Sequence, residues 1–208
     1  FISALLLPGQ SLDSLAKAYR EKPAPARRDA LLRYAAAHPK DANGALALLA
    51  VGVTEVESGQ YEEGARRLKT LGARLPQLRD YIAYYLGSVQ FGLKDFKSAA
   101  GTVESVWKAS PPSPLAGKAV LLAGRALLED GAPTDAVRLL KEHLPRLPQP
   151  EAAAALARGL EAAGDMAAAA AYNQRVYYGY PLSPNAPEAE SSLERLRQSL
   201  GAAYPPPM

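Results

Sequence analysis

The sequence has no cysteine among its 208 residues. This absence excludes disulfide bonds, thiolate catalysis and zinc sites with cysteine ligands, and it is compatible with either the cytoplasm or an oxidising periplasm. Aromatic residues make up only 7% of the chain, and runs rich in Val, Ile and Thr are few. The hydrophobic 48% consists largely of Ala and Leu, which favours close-packed helices over β-sandwiches. The sequence therefore predicts an all-α fold without β-strands.

Strong charge asymmetry and long hydrophobic runs are also missing. The chain carries 24 basic and 21 acidic side chains, a net charge of +3, spread along its length. This pattern predicts no nucleic-acid partner and only weakly favours an acidic peptide or wall polymer. The stretch Phe1–Leu7 is too short to span a bilayer and lacks the basic flank of a signal peptide, so no membrane span is predicted. It is either the remnant of a signal peptide or the first helix. Because Phe1 replaces an initiating Met, we expect a mature or shortened segment.

The feature that is present is a repeat. A small residue is followed nine positions later by an aromatic or other bulky residue, and fifteen positions after that by proline. Successive copies start 35, 37 and 33 residues apart. A fixed unit with a period near 34 predicts stacked helix hairpins of the tetratricopeptide type. The four copies are Gly52, Tyr61 and Pro76; Gly87, Phe96 and Pro111; Gly124, Pro133 and Pro148; and Ala157, Met166 and Pro181.

Further positions keep the same register, and we assign them to the fold rather than to ligands. Small residues follow each bulky position by three, to let the two helices of a hairpin approach closely. Glycines at 59, 131 and 164 suit the left-handed residue after the first helix, and Asp95 and Asp165 suit the N-cap of the second. The prolines are expected to end the second helix. Asn173 interrupts an otherwise apolar slot.

The predicted architecture is a single right-handed superhelix of tetratricopeptide-like hairpins over residues 1–203, with a C-terminal capping helix. In the second unit, the helices are predicted at 45–57 and 61–75. Residues 204–208 are predicted to form an extended, proline-rich linker. The units are a degenerate first unit at 1–39, then 44–76, 80–111, 115–148 and 151–181, followed by the capping helix at 186–200.

A segment near the C-terminus resembles a known join between domains. It reads Tyr177-Tyr178-Gly179-Tyr180-Pro181-Leu182-Ser183-Pro184-Asn185-Ala186, followed by Ala189, Leu193 and Leu196. It is similar to the end of the superhelical domain of bacterial soluble lytic murein transglycosylases, just ahead of their catalytic domain. In that family, an aromatic-Tyr-Pro-x-Ser stretch closes a helix pair and an Ala-x-x-Ala helix follows. Related joins occur in periplasmic tetratricopeptide lipoproteins of outer-membrane assembly and division.

This resemblance implies a division of labour. Family members cut cell-wall glycans with a lysozyme-like domain that bears one catalytic Glu, while the superhelix guides the polymer or holds partners. Nothing in this chain looks like the lysozyme-like part. Glu190-Ser191 is superficially similar to its Glu-Ser pair, but no Gly-Leu-Met-Gln stretch follows, and we predict that Glu190 is a solvated helix residue. The resemblance thus implies a noncatalytic segment of a periplasmic or cell-envelope protein.

The residues themselves indicate no catalytic, metal or cofactor site. Glu55 and Glu57, like Glu62 and Glu63, are too close in sequence to flank a bound sugar from opposite sides. His38 and His143 are isolated near helix ends and make no metal site. No glycine-rich phosphate loop or Ser-His-Asp arrangement is present. We therefore predict that this segment is not an enzyme and needs no cofactor.

Binding is predicted on the concave wall, which in a tetratricopeptide stack is lined by the first helix of each hairpin. Aromatic side chains there can stack on sugars or peptide side chains, and cations can hold carboxylates. The alternative is that the tyrosines pack against the next unit and the cations are solvated. The predicted ligand-binding residues are Tyr81, Tyr84, Ser88, Lys118, Arg125 and Arg158.

Two functions remain open from the sequence. The first is a noncatalytic domain of a lytic-transglycosylase-like protein that binds or steers peptidoglycan or a partner protein. The second is a free-standing adaptor that binds an extended peptide in its groove.

Overall fold

The computed structural model describes residues 11–206 of the chain, and within them it has eleven α-helices, three short 3₁₀ turns and no β-strand. The all-α prediction is confirmed. The segment Phe1–Leu7 lies outside the described residues. No helix in the described range combines the length and apolar character needed to cross a bilayer. The chain divides into two compact units, Phe1–Lys94 and Asp95–Met208, and the division falls inside the predicted third hairpin.

The first unit consists of five helices that pack in sequence order. Each helix contacts the next one, and α1 and α5 also contact α3. Two N-caps begin helices as their residue types predict: Ser11 accepts from the backbone N–H of Ser14 at 3.3 Å, and Asp41 accepts from that of Gly44 at 2.8 Å. The helices are α1 (Leu12–Glu21), α2 (Pro25–Ala37), α3 (Ala42–Glu57), α4 (Tyr61–Leu68) and α5 (Arg79–Gly92).

The second unit consists of six helices with the same pattern of neighbours. Each helix packs against the next, and α7 also contacts α9. The last helix coincides with the one predicted at 186–200, and its stripe of Ala189, Leu193 and Leu196 is buried. The helices are α6 (Phe96–Trp107), α7 (Ala116–Glu129), α8 (Pro133–His143), α9 (Glu151–Ala162), α10 (Met166–Gly179) and α11 (Ala186–Leu200).

The turns that precede α4, α6, α8 and α10 share one geometry. These helices begin at the four bulky residues of the repeat, Tyr61, Phe96, Pro133 and Met166. Two positions earlier, the chain takes a positive φ of 76°, 63°, 78° and 86° in turn, at Gly59, Lys94, Gly131 and Gly164. The three glycines are the ones predicted for this role. Lys94 was not predicted, because a lysine rarely adopts the left-handed conformation.

Hydrogen bonds explain why this turn recurs. In three of the four turns, the residue after the glycine donates its N–H to a carbonyl five residues back, at 2.8 to 2.9 Å, and the glycine donates to a carbonyl three residues back. This is the Schellman arrangement, which satisfies the orphan carbonyls of a helix end. The predicted N-caps then start the next helix: Asp95 and Asp165 accept from backbone N–H groups at 3.3 and 3.1 Å.

The small residues of the repeat lie where two helices approach closely. A Cβ atom on Gly124 would lie 2.6 Å from Cδ2 of Leu140, and one on Gly64 would lie 2.6 Å from Cγ2 of Val56. Gly87 is buried as well. Real Cβ contacts are not this short, so glycine at 64 and 124 sets how closely α3 approaches α4 and α7 approaches α8.

The predicted helix at 61–75 is wrong in its second half. Helix α4 ends at Leu68, and the chain continues in turns to Arg74. The hydrogen bonds change there from the α pattern to bonds between residues three apart, and the Thr70 hydroxyl donates to the carbonyl of Arg67 at 3.0 Å. Leu71 and Leu75 remain fully buried. The apolar pattern thus continued through the turns, which is why the sequence predicted a longer helix.

The residues after α11 do not form a free linker. Gly201, with a φ of 51°, starts a 3₁₀ turn over Gly201–Ala203 that reverses the chain. Tyr204 then packs against the core, and the Pro205 carbonyl accepts a hydrogen bond from Gln174 of α10. Tyr204 has the extended backbone that was predicted, but Tyr204 and Pro205 pack against the helices; positions 207–208 lie outside the described residues.

Candidate functional site

A cleft of about 370 Å³ runs along α7, α9 and α11 in the second unit; we call it the charged cleft. It has an apolar edge and a polar centre that is open to solvent. The side chains of α11 that reach it are spaced four and three residues apart, so one face of the helix supplies all of them. The lining residues are Leu128, Arg158, Glu161, Ala162, Glu188, Ser192 and Arg195.

Ion pairs between helices organise the charged cleft. Arg158 Nη2 lies 3.0 Å from Glu129 Oε1 at the end of α7, and Arg158 Nε lies 3.9 Å from Glu188 Oε1 of α11. Arg195 Nη1 donates to Glu161 Oε1 at 2.6 Å. The Arg158 and Arg195 side chains are 50% and 62% exposed. Pairs this exposed stabilise a fold by about 1 kcal/mol or less, so a ligand can replace one partner at low cost.

A smaller recess adjoins the charged cleft and shares four of its residues. It extends between α9, α10 and α11, where Ala154 and Ala189 leave room beside the amide of Asn173. Asn173 is only 6% exposed. The polar residue that interrupts the apolar slot of the repeat therefore lies on the wall of a recess of about 10 Å³, which has room for no more than about one water molecule.

One of the six predicted binding residues lines the charged cleft. Arg158, which follows the small residue Ala157 by one position, lines the charged cleft. Lys118 and Arg125 are exposed on α7, but Leu128 is the α7 residue that lines the cleft. The structure therefore brings only Arg158 of the three predicted cations to the charged cleft.

The three predicted residues of the first unit lie along α5. Tyr81 packs on the core of that unit, and its ring centroid is 4.9 Å from that of Tyr85. Tyr84 meets Tyr85 edge-on at 5.3 Å. The Ser88 hydroxyl donates to the Tyr84 carbonyl at 3.0 Å. Tyr81 thus packs on the core that α3, α4 and α5 share, and the Ser88 hydroxyl donates within its own helix.

Tyr85 of the same group was not predicted as a site residue. Its hydroxyl donates to Glu57 Oε1 at 2.9 Å, which joins α5 to the end of α3. Burial raises the pKa of Tyr85 above its usual value, and its contacts with Tyr81 and Glu57 raise that pKa further. The phenol therefore stays protonated and serves as a hydrogen-bond donor between two helices.

A second cleft of about 380 Å³ lies among α6, α7 and α8 of the second unit. The sole tryptophan of the chain, Trp107, lines it together with His143 and a floor of small residues that includes Gly101. Its charges are paired within single helices, as in Arg138 and Asp135 at 2.9 Å. These pairs do not join neighbouring helices, in contrast to those of the charged cleft.

The described residues contain no group of three or more side chains suited to a metal ion. Glu190, which resembles the catalytic Glu in sequence only, is exposed on α11 and accepts a hydrogen bond from the Tyr177 hydroxyl at 3.1 Å. This hydrogen bond, with the nearby charge of Glu190, raises the pKa of Tyr177. Glu190 is thus at the surface, as predicted, with a tyrosine partner that the sequence did not reveal.

Sequence reasoning did not single out Glu129, Glu161, Glu188 or Arg195, because a charge on one helix gives no local sign of its partner on another. The signal that identifies them is a pair of oppositely charged residues separated by about the length of one repeat. Glu129 and Arg158 are separated by 29 residues, and Glu161 and Arg195 by 34. A search for such pairs on the first helices of the repeat would have found this face.

Comparisons with known proteins identify no family for this chain. A scan against protein-family models finds no match, and a search of curated proteins finds none either.

Proposed function

We propose that the chain is a noncatalytic, tetratricopeptide-like binding module that holds an extended peptide on the first helices of its helix pairs. In this proposal the pairs wind into a right-handed superhelix. The recurring Schellman turns support it, and so do the contacts of α3 with α1 and α5 and of α7 with α9, because like helices of successive pairs touch in such a stack.

The observation that carries the proposal is the charged cleft. Its volume of about 370 Å³ lies in the range of ligand sites. It offers Arg158 and Arg195 to carboxylates and Glu129, Glu161 and Glu188 to cations, and all of these pairs are exposed enough to exchange partners. An extended peptide with both acidic and basic side chains fits this pattern. The planar guanidinium groups would bind its carboxylates in bidentate fashion.

Selection from a random peptide library tests this function. Peptides would be selected on the full chain, and their Kd values measured by fluorescence anisotropy. We expect Arg158→Glu to raise the Kd of the selected peptides by about tenfold or more, because it places a like charge opposite the ligand carboxylate and beside Glu129. A higher salt concentration should raise the Kd as well.

Arg138→Glu is the matched control, since it reverses an exposed arginine on α8 in the second cleft. Its Kd values should stay within about twofold of wild type. Selected peptides that lose binding with Arg138→Glu and keep it with Arg158→Glu would move the site to the second cleft and contradict the proposal. Failure to enrich any peptide would contradict it too.

The second candidate is the noncatalytic domain of a lytic-transglycosylase-like protein of the cell envelope. The observation that favours it is the join at residues 177–186: α10 ends at Gly179, a turn follows, and α11 starts at Ala186 with Ala189 buried. This order of elements is what the resemblance implies. Cosedimentation of the full chain with purified peptidoglycan sacculi tests it, with Arg158→Glu as the comparison. A chain that stays in the supernatant at low salt would contradict this candidate.

A further inference from the structure

The chain after α11 lies against the helices as a bound peptide would. The backbone of Tyr204 has φ −66° and ψ 129°, close to the polyproline II conformation, and Pro205 and Pro206 follow it. Prolines keep such a segment extended and free of internal hydrogen bonds, so its carbonyl groups can accept from water or from another surface. We call residues 204–206 the Tyr-Pro segment.

The surface that receives this segment has an apolar part and a polar part; we call it the tail site. The Tyr204 ring packs on a core cluster of α9, α10 and α11 that includes Leu160, Leu193 and Leu196. The guanidinium carbon of Arg197 lies 5.1 Å from the centroid of the same ring, a distance at which a cation attracts an aromatic face.

Gln174 provides the polar part of the tail site. Its Nε2 donates to the Pro205 carbonyl at 3.2 Å, although its side chain is on α10 and only 1% of the residue is exposed. The Oε1 atom of the same amide has no hydrogen-bond partner among the described residues. Burial of an amide is unfavourable unless it forms hydrogen bonds. The contact with the Tyr-Pro segment gives the Nε2 atom of this amide a hydrogen-bond acceptor.

A polyproline II segment is preformed and loses little conformational entropy when it docks in a groove. The tail site offers such a segment an apolar surface for its aromatic ring and a side-chain donor for a proline carbonyl. We propose that the tail site, formed by Gln174, Arg197 and the α10–α11 surface, binds Tyr-Pro segments in the polyproline II conformation. Its occupant in this chain is the chain's own Tyr-Pro segment, held in cis as a displaceable ligand. This site is separate from the charged cleft and does not depend on the proposed function.

The segment is displaceable because its contacts are few: one ring, one cation over that ring and one hydrogen bond. The tether is short, since only the turn at Gly201–Ala203 separates the segment from α11. Tethered ligands reach effective concentrations on the order of millimolar or more, so the cis segment competes strongly with any peptide added in solution.

A labelled peptide tests the proposal on the full chain. The probe is a fluorescein-labelled peptide that copies residues 202–206, and its binding is followed by anisotropy. The chain with Tyr204→Ala should bind the probe with a Kd of roughly 0.1 to 1 mM, because its own segment no longer fills the tail site. Wild type should bind at least about tenfold more weakly, because the tethered segment competes.

Two controls separate recognition from unspecific contact. A probe in which alanine replaces the tyrosine should not bind, and this control leaves the protein unchanged. In the Tyr204→Ala background, Gln174→Met keeps the side-chain volume and removes the donor, and it should weaken the probe by about five- to tenfold. The melting temperature shows whether this variant is folded. If it is not folded, recognition is judged from the probe in which alanine replaces the tyrosine.

Three outcomes would overturn the proposal. Equal binding of the probe and its alanine version would show that the ring is not recognised. Equal binding by wild type and Tyr204→Ala would show that the cis segment does not occupy the site. A wild-type chain that dimerises with rising concentration, and a Tyr204→Ala chain that does not, would show that the occupant comes from a second copy.

Discussion

The two units use ion pairs in opposite ways. In the first unit, Arg67 Nε donates to both carboxylate oxygens of Glu55, at 2.9 and 2.8 Å, and the Glu55 side chain is 1% exposed. In the second unit, the arginines of the charged cleft are half-exposed and pair with carboxylates of neighbouring helices. The ion pair that joins two helices of the first unit therefore has its carboxylate in the core, while those that join helices of the second unit lie on an accessible face.

The register of the repeat explains the difference. Glu55 lies three positions after the small residue Gly52, and Arg67 six positions after Tyr61. The same two slots hold Gln90 and Thr102 in the third hairpin, Leu127 and Leu139 in the fourth, and Leu160 and Tyr172 in the fifth. The ion pair of the first unit thus stands where the fourth and fifth hairpins have apolar or aromatic side chains. A buried pair of this kind is no more stabilising than the apolar pair it replaces, but it is costly to break.

The largest effect is expected when the buried ion pair is broken. Arg67→Leu should lower the free energy of unfolding by about 3–5 kcal/mol, because it leaves the Glu55 carboxylate buried without its partner. Urea unfolding measures it. The double variant Glu55→Leu with Arg67→Leu copies the apolar pair of the fourth hairpin and should recover most of that loss.

Arg158→Leu is the control from the other unit, and it should cost about 1 kcal/mol or less because its pairs are exposed. If Arg158→Leu and Arg67→Leu cost the same, the contrast between core and surface pairs is wrong.

A smaller effect is expected from the close helix contacts. Gly64→Ala places a Cβ atom 2.6 Å from Val56 Cγ2 and 3.1 Å from the Gly52 carbonyl oxygen. We expect a loss of about 1–3 kcal/mol from overpacking, seen as a melting temperature lower by roughly 2–12 °C. Gly101→Ala in α6 is the control, since its Cβ would meet open space, and it should be neutral or stabilise by up to about 1 kcal/mol. Equal losses would show that close contact is not the cause.

A smaller change in stability is expected from substitutions in two turns of the same geometry, one in each unit. Lys94 ends the first unit with a φ of 63°, where the other turns have glycine. Lys94→Gly should therefore stabilise the chain by about 0.5–1 kcal/mol, since it removes the strain of the left-handed conformation. Gly131→Ala in the second unit should cost about 1 kcal/mol for the opposite reason. Thermal unfolding checks both, and changes of the same sign would contradict the shared turn geometry.

The smallest effect is expected for Tyr85, because near neutral pH its protonation does not change. The pKa of Tyr85 is raised in the folded state, so the folded chain holds this proton more tightly than the unfolded one. Its contribution to stability is complete below about pH 10, the ordinary tyrosine pKa, and is lost as the pH rises above that value. Tyr85→Phe should make unfolding less sensitive to pH between about 10 and 11. A wild-type slope that Tyr85→Phe leaves unchanged would assign the effect to other groups.

The helices and their turns could be predicted because their signals are local. A glycine two positions before each second helix and an Asp at the N-cap act within a single turn, so Gly59, Gly131, Gly164, Asp95 and Asp165 were all placed correctly. Lys94 was missed because its side chain gives no sign of the left-handed conformation that its position requires. The end of α4 was missed because Leu71 and Leu75 stay buried in turns, and burial keeps the apolar pattern that indicated a helix.

The site was only partly predictable. The helical period predicted the face of α9 on which Arg158 lies, and Arg158 lines the charged cleft. Its partners were missed because Glu129 and Glu188 are distant in sequence, and many exposed charges have the same local pattern. Tyr81 and Tyr84 have aromatic side chains suited to a ligand or to a core, and only packing distinguishes these roles.

The sequence by itself determined the all-α class, the positions of the helices and the turns that join them, because helix propensity, caps and left-handed glycines act over a few residues. The tertiary structure alone decided which charges become a core pair or a cleft, and that Tyr204 lies against α11 and the Pro205 carbonyl against α10. Those outcomes depend on distances between residues 7 to 34 positions apart, which are set by how the helices pack and not by any local signal.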